Sequence, residues 1–150
     1  MSHFFAVKWL KAFRESPEAV VALYADEFLF EDPILGQRIT SKEELLRVFA
    51  PYANKDPENG IGINNFRIDE VIGDEHSAVY RWTWDAPTAT AFVGIPAGGK
   101  VPGSRGLTFH VYDADGRITK EASLWDVATA VAELGQPITP RAVATLPVPA

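Results

Sequence analysis

Asp32, Asp126, Glu121 and His110 are the side chains best suited to move protons in this sequence. Carboxylates and imidazoles act as general acids and bases once their surroundings tune them. Asp32 ends the alternating run Phe28-Leu-Phe-Glu-Asp32 and shares its parity with Phe28 and Phe30. If that aromatic face points inward, the carboxylate is desolvated and its pKa rises toward a range useful for proton transfer. The local alternative is an aspartate that caps the turn at Pro33. Asp126 stands between a strand and a helix, where the local role is an N-cap. Glu121, Ser123 and Trp125 occupy the opposite face of that strand. His110 shares a face with Thr108 and Tyr112, and a lone histidine there is equally a hydrogen-bonded core residue.

The aromatics around these groups suggest an apolar, ring-bearing ligand. In Ser77 to Asp85, Tyr80, Trp82 and Trp84 share one face, with Arg81, Thr83 and Asp85 on the other. Turned inward, the aromatic face supplies flat, rigid walls; plain core packing is the competing reading. Other chemistries lack their residues. There is no cysteine and no H-x-x-H or H-E-x-x-H pair, so no metal site is expected. Gly103-Ser104-Arg105-Gly106 lies between strands, the wrong setting for a serine nucleophile elbow. Gly94 to Lys100 lacks the phosphate-loop pattern, so no cofactor is expected.

The first 50 residues have helical periods interrupted by one strand. His3 to Phe13 places Phe5, Trp9, Leu10 and Phe13 on a helical face. Ser16-Pro17-Glu18 reads as an N-cap opening a helix to about Ala25. Ser41-Lys-Glu-Glu44 is a capping box for a helix through Phe49. From about Gly62 the period becomes two. Strands are expected around Phe66 to Val71, Ser77 to Asp85, Thr90 to Val93, Leu107 to Tyr112 and Ile118 to Asp126. Gly73 to His76 and Asp113 to Gly116 are turns, and Gly94 to Gly106 is a glycine-rich connection. A short helix follows from Val127 to Leu134.

The chain has 150 residues, 47% of them hydrophobic and 23% charged, which fits one globular domain and excludes wholesale disorder. We divide it into a domain over 1–136 and a proline-rich arm over 137–150. A net charge of −6 argues against nucleic acid as partner. No apolar stretch is long enough for a membrane span, and the start lacks signal-peptide features, so a cytoplasmic protein is expected. Helices first and a strand meander afterwards indicate α+β, with a curved, cone-shaped antiparallel or mixed sheet wrapped over the N-terminal helices.

Three segments resemble the nuclear-transport-factor-2-like superfamily, which includes ketosteroid isomerases and SnoaL-like polyketide cyclases. They are Leu23 to Pro33 continuing through Gly36 to Phe49, then Asp113 to Ile118, then Trp125-Asp126 with Glu133-Leu134-Gly135. The resemblance spans roughly Pro17 to Gly135 and implies a cystatin-like α+β roll. It places Asp32 on the isomerases' general base, and Tyr24, Phe49, Tyr80 and Trp125 on positions around the pocket. The isomerases' oxyanion-hole tyrosine falls near Lys8 and their protonated aspartic acid on Thr108, so a steroid isomerase proper is not implied. The cyclase comparison places the catalytic aspartate on Asp126 instead, with His110 near the second polar group.

Together these readings describe a cofactor-independent acid–base enzyme for a small, apolar, cyclic carbonyl compound. Asp32 or Asp126 is the base, and His110 or Glu121 the donor or proton shuttle. Tyr24, Phe28, Phe30, Phe49, Tyr80, Trp82, Trp84, Thr108 and Trp125 surround the ligand. The alternatives are a non-catalytic ligand-binding or scaffold module and an epoxide hydrolase, whose bridging arginine is missing because Arg81 faces outward. A homodimer covering the outer sheet face is expected.

Overall fold

The structure, a computed structural model, describes residues 2–136; the arm over 137–150 lies outside the described residues. Helices α1 (Ser2–Glu15), α2 (Pro17–Val21) and α3 (Lys42–Ala53) pack on the inner face of a six-stranded sheet. The strands are β1 (Tyr24–Asp32), β2 (Gln37–Ile39), β3 (Asn65–Gly73), β4 (Ser77–Asp85), β7 (Gly103–Tyr112) and β8 (Ile118–Trp125). Their order is β2-β1-β8-β7-β4-β3, with β1 and β8 parallel and every other pair antiparallel. A small hairpin, β5 (Ala91–Phe92) with β6 (Ile95–Pro96), stands apart, and α4 (Val127–Glu133) follows β8. This is an α+β architecture with a curved mixed sheet.

Local chemistry sets most boundaries. The hydroxyl of Ser16 accepts from the Ala19 amide with Pro17 at the first helical position, and Ser41 accepts from the Glu44 amide. The second helix ends at Val21, four residues earlier than its periodicity suggests. The Leu23 carbonyl accepts from the Ile118 amide and Tyr24 pairs with Ile118, so sheet pairing and burial of Tyr24 override local helix preference.

The glycine-rich connection is shorter than expected, because Gly103 to Gly106 belong to β7 and pair with Trp82 to Asp85. Gly106 is there for space. A Cβ at that position would lie 2.6 Å from Trp82 Cζ2 and 2.8 Å from Trp125 Cβ, so only glycine lets these indoles cross the strand.

Alternation then sorts the faces. Along β4, Ala78, Tyr80, Trp82 and Trp84 are buried while Arg81 is exposed and pairs with Glu70 at 3.1 Å. Along β7, Ser104, Thr108, His110 and Tyr112 point inward. The outer face keeps Leu107, Phe109 and Leu124 in solvent. No helix among the described residues is long and apolar enough to cross a membrane.

Candidate active site

The helices and the sheet leave a cavity of about 100 Å³ between them. α1 contributes Trp9 and Phe13 to its wall, and α3 contributes Phe49 and Tyr52. The sheet side carries Phe66, Trp82, Trp84 and Trp125, with Phe30 and the hairpin residue Phe92 beside them. All four tryptophans of the chain therefore line one space.

Two carboxylates interrupt this apolar wall. Asp32 is 7% exposed at the end of β1, with Phe28 and Phe30 on the same inward face. Its Oδ1 accepts from the Ile34 and Leu35 amides at 3.0 Å each, and its Oδ2 from Trp125 Nε1 at 2.8 Å. A carboxylate offers about four acceptor positions, so three donors leave Asp32 one to spare.

Glu121 is 3% exposed on β8. Its Oε2 accepts from the Tyr24 hydroxyl and bonds His110 Nε2 at 2.8 Å. Its Oε1 has only Ser123 Oγ, at a long 3.4 Å. Ser123 also bonds Thr108 Oγ1 at 2.8 Å, and Thr108 accepts from Trp82 Nε1 at 2.9 Å. Behind the wall the network continues from His110 Nδ1 to the Tyr112 hydroxyl at 3.1 Å and on to the Tyr80 hydroxyl.

Burial and neighbouring charge keep the tyrosines protonated. Burial raises Tyr24 well above the ordinary phenol value, and the Glu121 carboxylate adds to the shift. Burial pushes Tyr52 up to about 12, with the charge of Asp32 contributing. Tyr80 and Tyr112 are raised by burial as well.

Several expected residues sit elsewhere. Asp126 does not line the cavity: its carboxylate accepts from the Thr129 amide at 3.0 Å and hydroxyl at 2.7 Å, capping α4. These bonds hold its carboxyl below the usual aspartate range, which weakens it as a base. Trp125 and Asp126 therefore face opposite sides, as regular alternation requires. Tyr24 and Phe28 lie outside the cavity wall; their rings pack together 5.2 Å apart and the Tyr24 hydroxyl is taken by Glu121. Tyr80 and His110 border a separate void of about 10 Å³. Asp32, Glu121, Phe30, Phe49, Trp82, Trp84, Thr108 and Trp125 do line the cavity.

Sequence reading missed Ser123, Trp9, Phe13, Tyr52, Phe66 and Phe92 as cavity residues. Ser123 could have been found, because it shares the face of Glu121 and Trp125. The α1 aromatics carried only the helical period of a core. Among the described residues no group of three His, Asp or Glu could hold a metal ion.

A mixed sheet curved over helices, with a cavity between the two layers, is the cone of the nuclear-transport-factor-2-like superfamily. More particularly, the chain belongs to the SnoaL-like domain family, whose model matches residues 6–121. Solved structures share the fold at low identity. AclR from Streptomyces galilaeus, a proposed hydroxylase, is 11% identical with a TM-score of 0.72, covering 93% of this chain and 85% of that one. IdmH from Streptomyces antibioticus, a candidate polyketide cyclase, is 17% identical at TM-score 0.70, covering 90% and 99%. A protein with a ketosteroid-isomerase-like fold from Catenulispora acidiphila, solved in complex with trimethylamine, is 18% identical at TM-score 0.66, covering 90% and 96%. No curated protein matches the sequence. Such different descriptions on one fold leave the reaction to be argued from the site.

Proposed function

We propose that the cavity takes a small, apolar, ring-bearing carbonyl compound and catalyses proton transfer at the carbon beside the carbonyl, without a cofactor. One observation carries this reading: two buried carboxylates, each with an acceptor position unfilled, line an aromatic cavity. Asp32 takes the proton from carbon, and the electron pair moves onto the carbonyl oxygen. Ser123 can accept from Thr108 and turn its own hydroxyl proton to that oxygen. Glu121, with His110 behind it, shuttles the proton needed at the far wall. Return of the proton to another carbon gives isomerisation; attack of the enolate carbon on a second carbonyl gives cyclisation.

The size of the cavity bears on the substrate. At about 100 Å³ it is of the same order as the roughly 150 Å³ that accommodates benzene in an engineered core, the size class of a single ring. That favours a compact substrate and disfavours a fused steroid unless the walls part.

Hydrogen–deuterium exchange at the α-carbon of cyclohexenone, followed by NMR in D2O, tests the proposal. Wild type should accelerate exchange and Asp32→Asn should abolish the acceleration. A second reading, a binding module without turnover, draws on the amides of Ile34 and Leu35, which already give Asp32 a complete structural role. Ligand binding without exchange in wild type would select it. Epoxide hydrolysis has less support, because Arg81 lies on the outer face and no arginine lines the cavity among the described residues. A homodimer through Leu107, Phe109 and Leu124 completes the proposal, and sedimentation as a monomer at micromolar concentration would count against it.

A further inference from the structure

The cavity wall has a sign as well as a shape. Four tryptophans, five phenylalanines and one tyrosine line it together with two carboxylates, and no lysine, arginine or histidine does among the described residues. Aromatic faces carry the negative end of the ring quadrupole, so walls and carboxylates bias the space the same way. Gln37 pairs with Asp32 across β1 and β2, lines the same cavity, and its Oε1 is buried without a hydrogen-bond partner. Burial is the larger cause of the rise of Tyr52, and the charge of Asp32 adds to it.

A purely apolar ligand would leave this bias unused and Asp32 without a counter-charge. A metal ion or primary ammonium would have to shed a tightly held hydration shell among indole rings. An alkylated ammonium is different. Its charge is spread over methyl or ring carbons, it is weakly hydrated, and it binds aromatic faces through cation–π attraction that strengthens when water is excluded.

We propose that the cavity recognises a small tertiary or quaternary ammonium group, held against the tryptophan faces and balanced by Asp32 and Glu121. The proposal rests on the ligand cavity of the function proposed above, whose carbonyl substrate would then carry that cationic nitrogen. A tertiary ammonium has an N–H that the unpartnered Gln37 Oε1 can accept. The Trp9 Nε1, also without a partner, would be satisfied by an oxygen on the same ligand. Asp32 carries most of the charge balance, because the Oε2 of Glu121 is already taken by the Tyr24 hydroxyl and His110 Nε2.

The test compares tetramethylammonium with 2-methylpropan-2-ol, a neutral compound of nearly the same shape, with cyclohexenone as a neutral ring probe. Because every tryptophan lines the cavity, intrinsic fluorescence reports binding directly, and calorimetry checks it. The cation should bind wild type at least about tenfold more tightly than the alcohol. Asp32→Asn and Glu121→Gln, each checked for folding by circular dichroism, should weaken the cation several-fold and leave the alcohol within about twofold. Equal affinities for cation and alcohol in wild type, a comparison that needs no variant, would overturn the ammonium proposal and leave the cavity reading standing if cyclohexenone binds. Binding of the cation without cyclohexenone would support the ammonium site and count against the neutral carbonyl substrate. Silence from all three probes would overturn both.

Discussion

Asp32 and Asp126 occupy matching places at the ends of neighbouring parallel strands, yet they do different work. Asp32 ends β1 on the inward parity set by Phe28 and Phe30, and it receives the indole N–H of Trp125. Asp126 stands one residue beyond Trp125, on the opposite parity, and is spent on the first turn of α4. On β8 a single step along the chain separates Trp125 on the cavity wall from Asp126, a half-buried helix cap turned away from it. Parity within the sheet, and not residue type, assigns the role.

That contrast can be broken from the inside first. Glu121→Ala removes the acceptor shared by the Tyr24 hydroxyl and His110, leaving both buried without it. We expect a loss of about 3 kcal/mol in urea unfolding, the scale for orphaning buried polar partners. Gly106→Ala attacks the inner face by volume, driving a methyl group against Trp82 and the Leu124 carbonyl, each 2.6 Å away. Its expected cost is roughly 2 kcal/mol, with a changed tryptophan emission spectrum as the local signature.

On the outside the effects shrink. Asp126→Ala deletes the cap of α4 and should cost about 1 kcal/mol. The Asp126 carboxyl is held low in the folded state, so its contribution is present above the unfolded aspartate pKa and is lost as pH falls through the folded value. The difference in melting temperature between wild type and Asp126→Asn should therefore be full near neutrality and narrow below about pH 4. A difference that widened with acid would contradict the capping role.

The same parity explains how much could be read beforehand. Strand β4 was legible to the residue, because Tyr80, Trp82 and Trp84 alternate without interruption. The caps at Ser16, Ser41 and Asp126 were legible because each is a local side-chain-to-amide bond. The end of α2 was not. Tyr24 joins the sheet through Ile118, 94 positions away, and no local pattern carries that information. The start of β7 was hidden because Gly103 and Gly106 read as loop until Trp82 and Trp125 are seen pressing on the strand.

The site divides in the same way. Asp32, Trp82 and Trp84 were expected from strand parity, and Trp125 from the family resemblance. Trp9, Phe13 and Tyr52 lie on helices, where an apolar stripe has the same spacing whether it meets packed core or an empty cavity. Phe92 sits on a two-residue strand too short to show any period. Glu121 was recognised as a candidate, but its bond to Tyr24 spans 97 residues of sequence.

The most direct test sets the two aspartates side by side. Deuterium exchange at the α-carbon of cyclohexenone should fall by at least about a hundredfold in Asp32→Asn, the lower range for loss of a general base, and stay within about twofold of wild type in Asp126→Asn. Equal exchange in both variants, or loss only in Asp126→Asn, would contradict the assignment of the cavity carboxylate as the base.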